Sequence, residues 1–116
     1  MTDVHGLGIL PPMDILYEKT LLYDFYGELL TDHQKTIYEE VVLSDSSLSE
    51  VAEEHGISRQ GVHDLIKRIT RILNDYEDKL HLVRSFLDIK KKAEQIRTLT
   101  DDPEIIRLTD EIIEEL

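Results

Sequence analysis

Arg59, Gln60, His63, Lys67, Arg68 and Arg71 fall within 13 residues, directly after Ser58. Residues three and four apart share a helix face. A helix opening at Ser58 would therefore gather guanidinium and ammonium groups suited to phosphate oxygens. Ser58, Arg59, Gln60 and His63, in its first turns, have the donors and acceptors that read base edges. That chemistry is recognition of a polyanion, and it requires a second element to hold the helix at a defined angle.

The preceding residues supply such an element. The stretch 47–68 reads SLSEVAEEHGISRQGVHDLIKR. Ser47 with Glu50 three residues on is a capping-box pair that satisfies free amides at a helix start. Ala52 permits close approach of a second helix. Gly56 stands just past the helix end, where a left-handed turn disfavours residues with a Cβ. Ile57 is expected between the helices. Ser58 caps the second helix, whose inner face is Val62, Leu65 and Ile66. This spacing is that of a helix-turn-helix, whose second helix enters the DNA major groove in DNA-binding versions. Short helical hairpins closed by Gly also occur as plain structure, so spacing alone leaves that reading open.

Composition sharpens the question. The 116 residues carry a net charge of −12, which is wrong for a generic nucleic-acid binder. The charge is unevenly placed. Residues 1–57 hold 2 basic and 12 acidic side chains, residues 58–97 hold 10 and 6, and residues 98–116 hold 1 and 7. Positive charge therefore collects in the candidate recognition helix and the segment after it. The alternatives are ordinary solvated helix faces or a local basic surface on an acidic body. With 41% apolar residues the chain can bury a core, and its length suits one compact domain with an extension. No run approaches the ~18 apolar residues needed to span a bilayer. The start, MTDVHGLGILPPMD, lacks the features of a secretory signal and reads as a disordered leader over 1–13. Zero Cys excludes disulfides and thiolate metal sites and fits a cytoplasmic protein.

The rest of the chain reads as nearly all helix. A first helix is expected over 14–30, with Ile15, Leu22, Phe25, Tyr26, Leu29 and Leu30 on its apolar side. Thr31 with Gln34 is a second capping box, and Ile37, Val41 and Val42 follow as inward residues. SDSS at 44–47 is a turn. From Ser58 to about Leu87 a single long helix is expected, with a heptad seam through Val62, Ile66, Ile69, Leu73, Tyr76, Leu80, Val83 and Leu87. That seam is either an intrachain core or a dimer interface, the latter through Ile69, Leu73, Tyr76, Leu80 and Val83. Ser85 breaks the helix or begins another containing Phe86, Leu87, Ile89, Ala93, Ile96 and Leu99. Asp102–Pro103 starts a last helix, with Ile105, Leu108, Ile112 and Leu116 on one face. The domains expected are a leader (1–13), a helix-turn-helix domain (14–83) and a helical extension (84–116).

No catalytic set emerges. His5, His33, His55, His63 and His81 are scattered, and no two stand three or four apart on one helix. Glu53–Glu54 and Glu114–Glu115 read as helix-surface charge. Gly6 and Gly8 form no phosphate cradle, because no strand precedes them. No metal, cofactor or enzymatic activity is expected.

The stretch LLYDFYGELLTDHQKTIYEEVVLSDSSLSEVAEEHGISRQGVHDLIKRITRILNDYEDKLHL resembles the YlxM family of small bacterial proteins over about Leu16 to Leu82. The Leu-Tyr-Asp-Phe-Tyr opening, Glu-Val-Ala-Glu-Glu, Ile-Ser-Arg-Gln-Gly-Val and Tyr-Glu-Asp-Lys-Leu carry the resemblance. It implies a fold like the fourth region of sigma factors, an all-α helix-turn-helix domain. It also implies regulation linked to the signal recognition particle pathway, since members' genes lie beside that particle's GTPase gene. The contact would be with DNA, with RNA or with the GTPase itself. The acidic N-terminal half, with His63 and Asp64 in the recognition helix, departs from the usual pattern of DNA readers. The reading is thus a regulatory, non-enzymatic protein, homodimeric, binding nucleic acid through Ser58, Arg59, Gln60, His63, Lys67, Arg68 and Arg71. The contrasting reading is a protein-interaction module.

Overall fold

A computed structural model describes residues 14–116, and the leader expected at 1–13 lies outside the described residues. The described residues are helical, with no strand among them. Six α-helices follow in order: α1 (Ile15–Tyr26), α2 (Asp32–Tyr38), α3 (Leu48–His55), α4 (Arg59–Leu80), α5 (Leu82–Thr98) and α6 (Pro103–Glu115). They form two compact units, 14–80 and 81–116.

In the first unit, α4 packs against α1, α2 and α3. Asp14 caps α1, its carboxylate accepting from the Leu16 amide at 2.9 Å. The helix ends at Tyr26 and gives way to a 3-10 turn over Gly27–Leu29. That tightening turns Leu29 out to solvent while Leu30 is buried, and Ile15 is also exposed, so neither Ile15 nor Leu29 belongs to the inner side. The Thr31 capping box forms as the sequence predicts. Its hydroxyl accepts from the Gln34 amide at 3.2 Å, and the Gln34 side chain accepts from the Thr31 amide at 2.9 Å. A π-helical turn, Glu39–Leu43, follows α2.

The core of this unit is Leu21, Leu22, Tyr26, Leu30, Ile37, Tyr38, Val51, Ala52, Val62, Ile69 and Leu73. Each fully buried large apolar side chain among them contributes roughly 1.5–3 kcal/mol. Val62, Ile69 and Leu73 are wholly enclosed, and Tyr76 stacks on Tyr26 with ring centroids 5.9 Å apart. Most of the heptad seam is therefore filled by the chain's own helices. The heptad pattern gives no warning of Glu77, which is buried at 3% exposure. It is held by the Tyr26 hydroxyl, which donates to its carboxylate at 2.5 Å.

The long helix ends earlier than its pattern suggests. Leu80 is its last residue, and His81 takes left-handed angles, φ 57 and ψ 29. Histidine is one of the few side chains enriched in that region. The heptad continues in sequence through Val83 and Leu87, but on a separate helix. In the second unit, α5 and α6 form a hairpin through residues 99–102. Asp102 caps α6, accepting from the Glu104 amide at 2.8 Å, with Pro103 in the first turn. Ala93 and Thr109 are buried, and Arg97 on α5 pairs with Asp110 on α6 at 3.2 Å.

Two tyrosines make stability depend on alkaline pH. Burial, and next the charge of Glu18, pushes the Tyr38 phenol up to about 12. Burial and the hydrogen bond to Glu39 raise Tyr23 as well. A folded-state pKa above the unfolded value of about 10 keeps the phenol neutral in the fold while the unfolded chain ionises. The contribution is complete below pH 10 and disappears as pH rises towards 12. Thermal melts of Tyr38→Phe should lose less midpoint over that interval than the parent, and identical slopes would refute this origin. Separately, Tyr26→Phe removes a donor from a buried carboxylate and should cost ~1–3 kcal/mol in urea unfolding.

Candidate nucleic-acid interface

The turn between α3 and α4 fixes how the basic residues are presented. Ser47 forms its capping box, accepting from the Glu50 amide at 3.0 Å while its own amide donates to the Glu50 carboxylate at 3.1 Å. Those bonds hold the Glu50 carboxyl below its ordinary range, the Ser47 amide contributing most. At the other end Gly56 has φ 69 and ψ 32. The Gly56 amide donates to the Glu53 carbonyl at 3.3 Å and the Ile57 amide to the Ala52 carbonyl at 3.0 Å. These paired bonds are the Schellman closure of a helix, which needs a left-handed residue between them. Ile57 does not drop into the core as the spacing suggests. It is 38% exposed at the edge of the turn, while its amide completes the closure.

A second lock braces α3. His55 Nε2 lies 3.0 Å from Glu40 Oε1 and 3.4 Å from Glu54 Oε1, tying the π turn to the helix end. The His33 ring meets His55 edge-on at 5.7 Å. Glu40, Glu54 and His55 are the set among the described residues whose donor atoms could converge on a metal. In the geometry present, they satisfy one another. Sequence spacing missed this cluster because Glu40 and His55 are 15 residues apart on different elements.

Ser58 opens α4, its hydroxyl accepting from the Gly61 amide at 2.9 Å. That role occupies the hydroxyl in capping. Gln60 donates to Asp64 at 3.0 Å, and His63 Nδ1 stands 3.8 Å from the same carboxylate. Arg59, Lys67, Arg68 and Arg71 are exposed, and among the described residues none forms an ion pair. The structure thus brings the seven sequence-selected residues together on one helix but divides their tasks. Ser58 and Gln60 are engaged locally, and four cations are free.

Two concavities flank this surface. One is lined by Leu48, Arg59, Gln60 and His63, at the start of α3 and α4. The other is an open groove lined by Asp64, Lys67, Arg68, Thr70, Arg71 and Asn74. The seam residues expected at a dimer interface differ in burial. Ile69 and Leu73 are interior, Tyr76 is half-buried, Leu80 is 52% exposed at the helix end, and Val83 is buried on α5. No described helix is long and apolar enough to cross a membrane.

Residues 14–112 match a family described as "Putative helix-turn-helix protein, YlxM / p13 like". The UPF0122 protein of Thermoanaerobacter sp. strain X514 is 47% identical over 104 residues, spanning 84% of this chain and 89% of its own length. That of Acetivibrio thermocellus is 42% identical over 114 residues, spanning 90% and 97%. A Caldanaerobacter subterraneus relative is 53% identical over 78 residues, 67% of each chain.

A Cβ built on Gly56 meets nothing within 4 Å, so the demand for glycine is conformational alone. Gly56→Val should cost about 1–2 kcal/mol of unfolding free energy. Gly56→Asn should recover most of it, since asparagine tolerates left-handed angles. A valine variant melting with the parent would contradict the turn geometry.

Proposed function

We propose that this chain, which belongs to the YlxM/p13-like helix-turn-helix family, is a regulatory nucleic-acid-binding protein rather than an enzyme. Its contact surface is the exposed face of the first half of α4. The observation that carries this reading is the group of four unpaired cations, Arg59, Lys67, Arg68 and Arg71, on a chain of net charge −12. Elsewhere four basic residues are committed to carboxylates: Lys35 pairs with Glu28, Lys92 with Asp88, Arg97 with Asp110, and Arg107 with Glu104 and Glu111. Exposed cations left without carboxylates are available to phosphates. The acidic remainder repels the same polymer, which limits contact to one orientation.

His63 and Arg59, beside the concavity at the start of α3 and α4, are the side chains best placed to reach base edges. The resemblance to the YlxM family supports a role in the signal recognition particle pathway and a cytoplasmic location. It makes the promoter of the chain's own operon and the particle's RNA the first polyanions to test. A second reading, contact with the targeting GTPase, is favoured by Asp64. That carboxylate sits among the cations and holds Gln60, which weakens base readout.

The double variant Arg59→Ala, Arg68→Ala should weaken binding to duplex DNA or to the particle RNA. It should also flatten the dependence of log affinity on log salt by about two units of slope, one for each lost phosphate contact. Gel shift of the folded variant across a salt series measures this. Unchanged affinity and slope would remove α4 from the contact. Capture of the GTPase with no nucleic-acid binding by the parent would favour the second reading.

A further inference from the structure

The α5–α6 hairpin carries an apolar face that stands partly exposed among the described residues. Ile89 and Ile96 on α5, Ile105, Leu108 and Ile112 on α6, and Leu116 at the α6 C-cap are between 39% and 46% exposed. Their spacing is regular. Ile89 and Ile96 are one heptad apart, as are Ile105 and Ile112, and Leu108 and Leu116 flank Ile112 at four residues on either side. The residues that α6 buries in the hairpin adjoin this stripe: Thr109, four residues after Ile105 and three before Ile112, is buried, while Ile106 and Ile113 are half-buried. Each helix thus buries one edge of a broad apolar face, at Ala93 and Thr109, and leaves the adjoining outer stripe of large apolar residues partly in water.

We infer that this outer stripe is the contact between two copies of the chain, joined by a two-fold axis into a four-helix arrangement with each α5 beside the partner's α6. Charge selects a second copy as the occupant. Helix α5 holds five basic and two acidic side chains, and α6 holds one basic and five acidic. Lys92 borders the α5 stripe, three residues after Ile89 and four before Ile96. Glu104 and Glu111 border the α6 stripe on the side of Leu108. Opposed α5–α6 pairing sets lysine against glutamate along both edges, and the two-fold axis repeats the match. Pairing of like helices would set lysine on lysine. The intrachain partners of these groups, the half-buried Asp88 and the exposed Arg107, are neighbours on the same helix, and such surface pairs contribute little and exchange readily. Lengths also match: 17 and 13 residues give helices of about 25 and 20 Å. A surface of this kind is self-complementary, as a closed dimer requires.

The inference stands independently of nucleic-acid binding. It moves the assembly surface from the α4 seam to the terminal hairpin. If the α4 surface does bind DNA, a dimer delivers two such helices and favours a two-part site.

Sedimentation equilibrium of the full chain at tens of micromolar tests it. The expected mass is twice the 13.5 kDa of one chain. Leu108→Glu with Ile112→Glu should give monomer with unchanged helical circular dichroism, because both positions are already over two-fifths exposed. Lys92→Glu and Glu111→Lys should each weaken self-association when alone. An equimolar mixture of the two should associate as tightly as the parent, because both α5–α6 contacts then regain opposite charges. A monomeric parent would overturn the proposal, as would a dimer indifferent to the two glutamates. So would a parent monomer that associates only after removal of residues 1–13, which would assign the stripe to the chain's own leader.

Discussion

Val62, Ile69 and Leu73 lie along one edge of α4 and are wholly buried, while Arg59, Lys67, Arg68 and Arg71 lie on the same helix in water. The rest of the first unit depends on this division of one 22-residue helix. Helices α1, α2 and α3 all pack on its apolar edge, so their positions are set by what that edge requires. The cations are held where they are by the same burial. Turning α4 to hide an arginine would expose a core residue at a cost of roughly 1.5–3 kcal/mol for each side chain. Presentation of the basic face is therefore a consequence of packing rather than a separate device.

The buried end of α4 is not purely apolar. Glu77 occupies a core position and is bonded to Tyr26, whose ring also stacks on Tyr76. A paired buried carboxylate adds little net stability but penalises any arrangement in which Tyr26 is misplaced. It ties α1 to α4 in one register. The Glu40–His55 pair does the same between the π turn and α3, near the Gly56 turn. The first contact anchors α4 and the second anchors α3, the two helices on which any groove-reading function would rest.

Local signals were the legible ones. The capping boxes at Thr31 and Ser47, the left-handed Gly56 and the Ser58 cap each depend on residues within three positions, and each forms as the sequence predicts. What sequence could not resolve was which side of a stripe meets what. The heptad through Val62 to Leu87 is continuous in sequence, yet His81 divides it between two helices, because one residue's φ breaks a helix without altering the apolar spacing. Ile57 has the residue type of a core position but sits at the rim of its turn. Nothing local to Glu77 marks it as buried, because its partner Tyr26 is 51 residues away. The candidate cations were identifiable by clustering. Their freedom from carboxylates was not, because pairing depends on side chains brought close only by the fold.

Central to this account is the proposal that the exposed face of α4 is the nucleic-acid contact, held in place by the turn at Gly56. Titrating the isotopically labelled full chain with duplex DNA while recording amide and side-chain NMR shifts reads that surface directly. The account predicts that perturbations concentrate at residues 58–71, include the Arg59 and Arg68 guanidinium signals, and fade as salt is raised. Shifts confined to other helices, or none at DNA concentrations that saturate binding by gel shift, would contradict it.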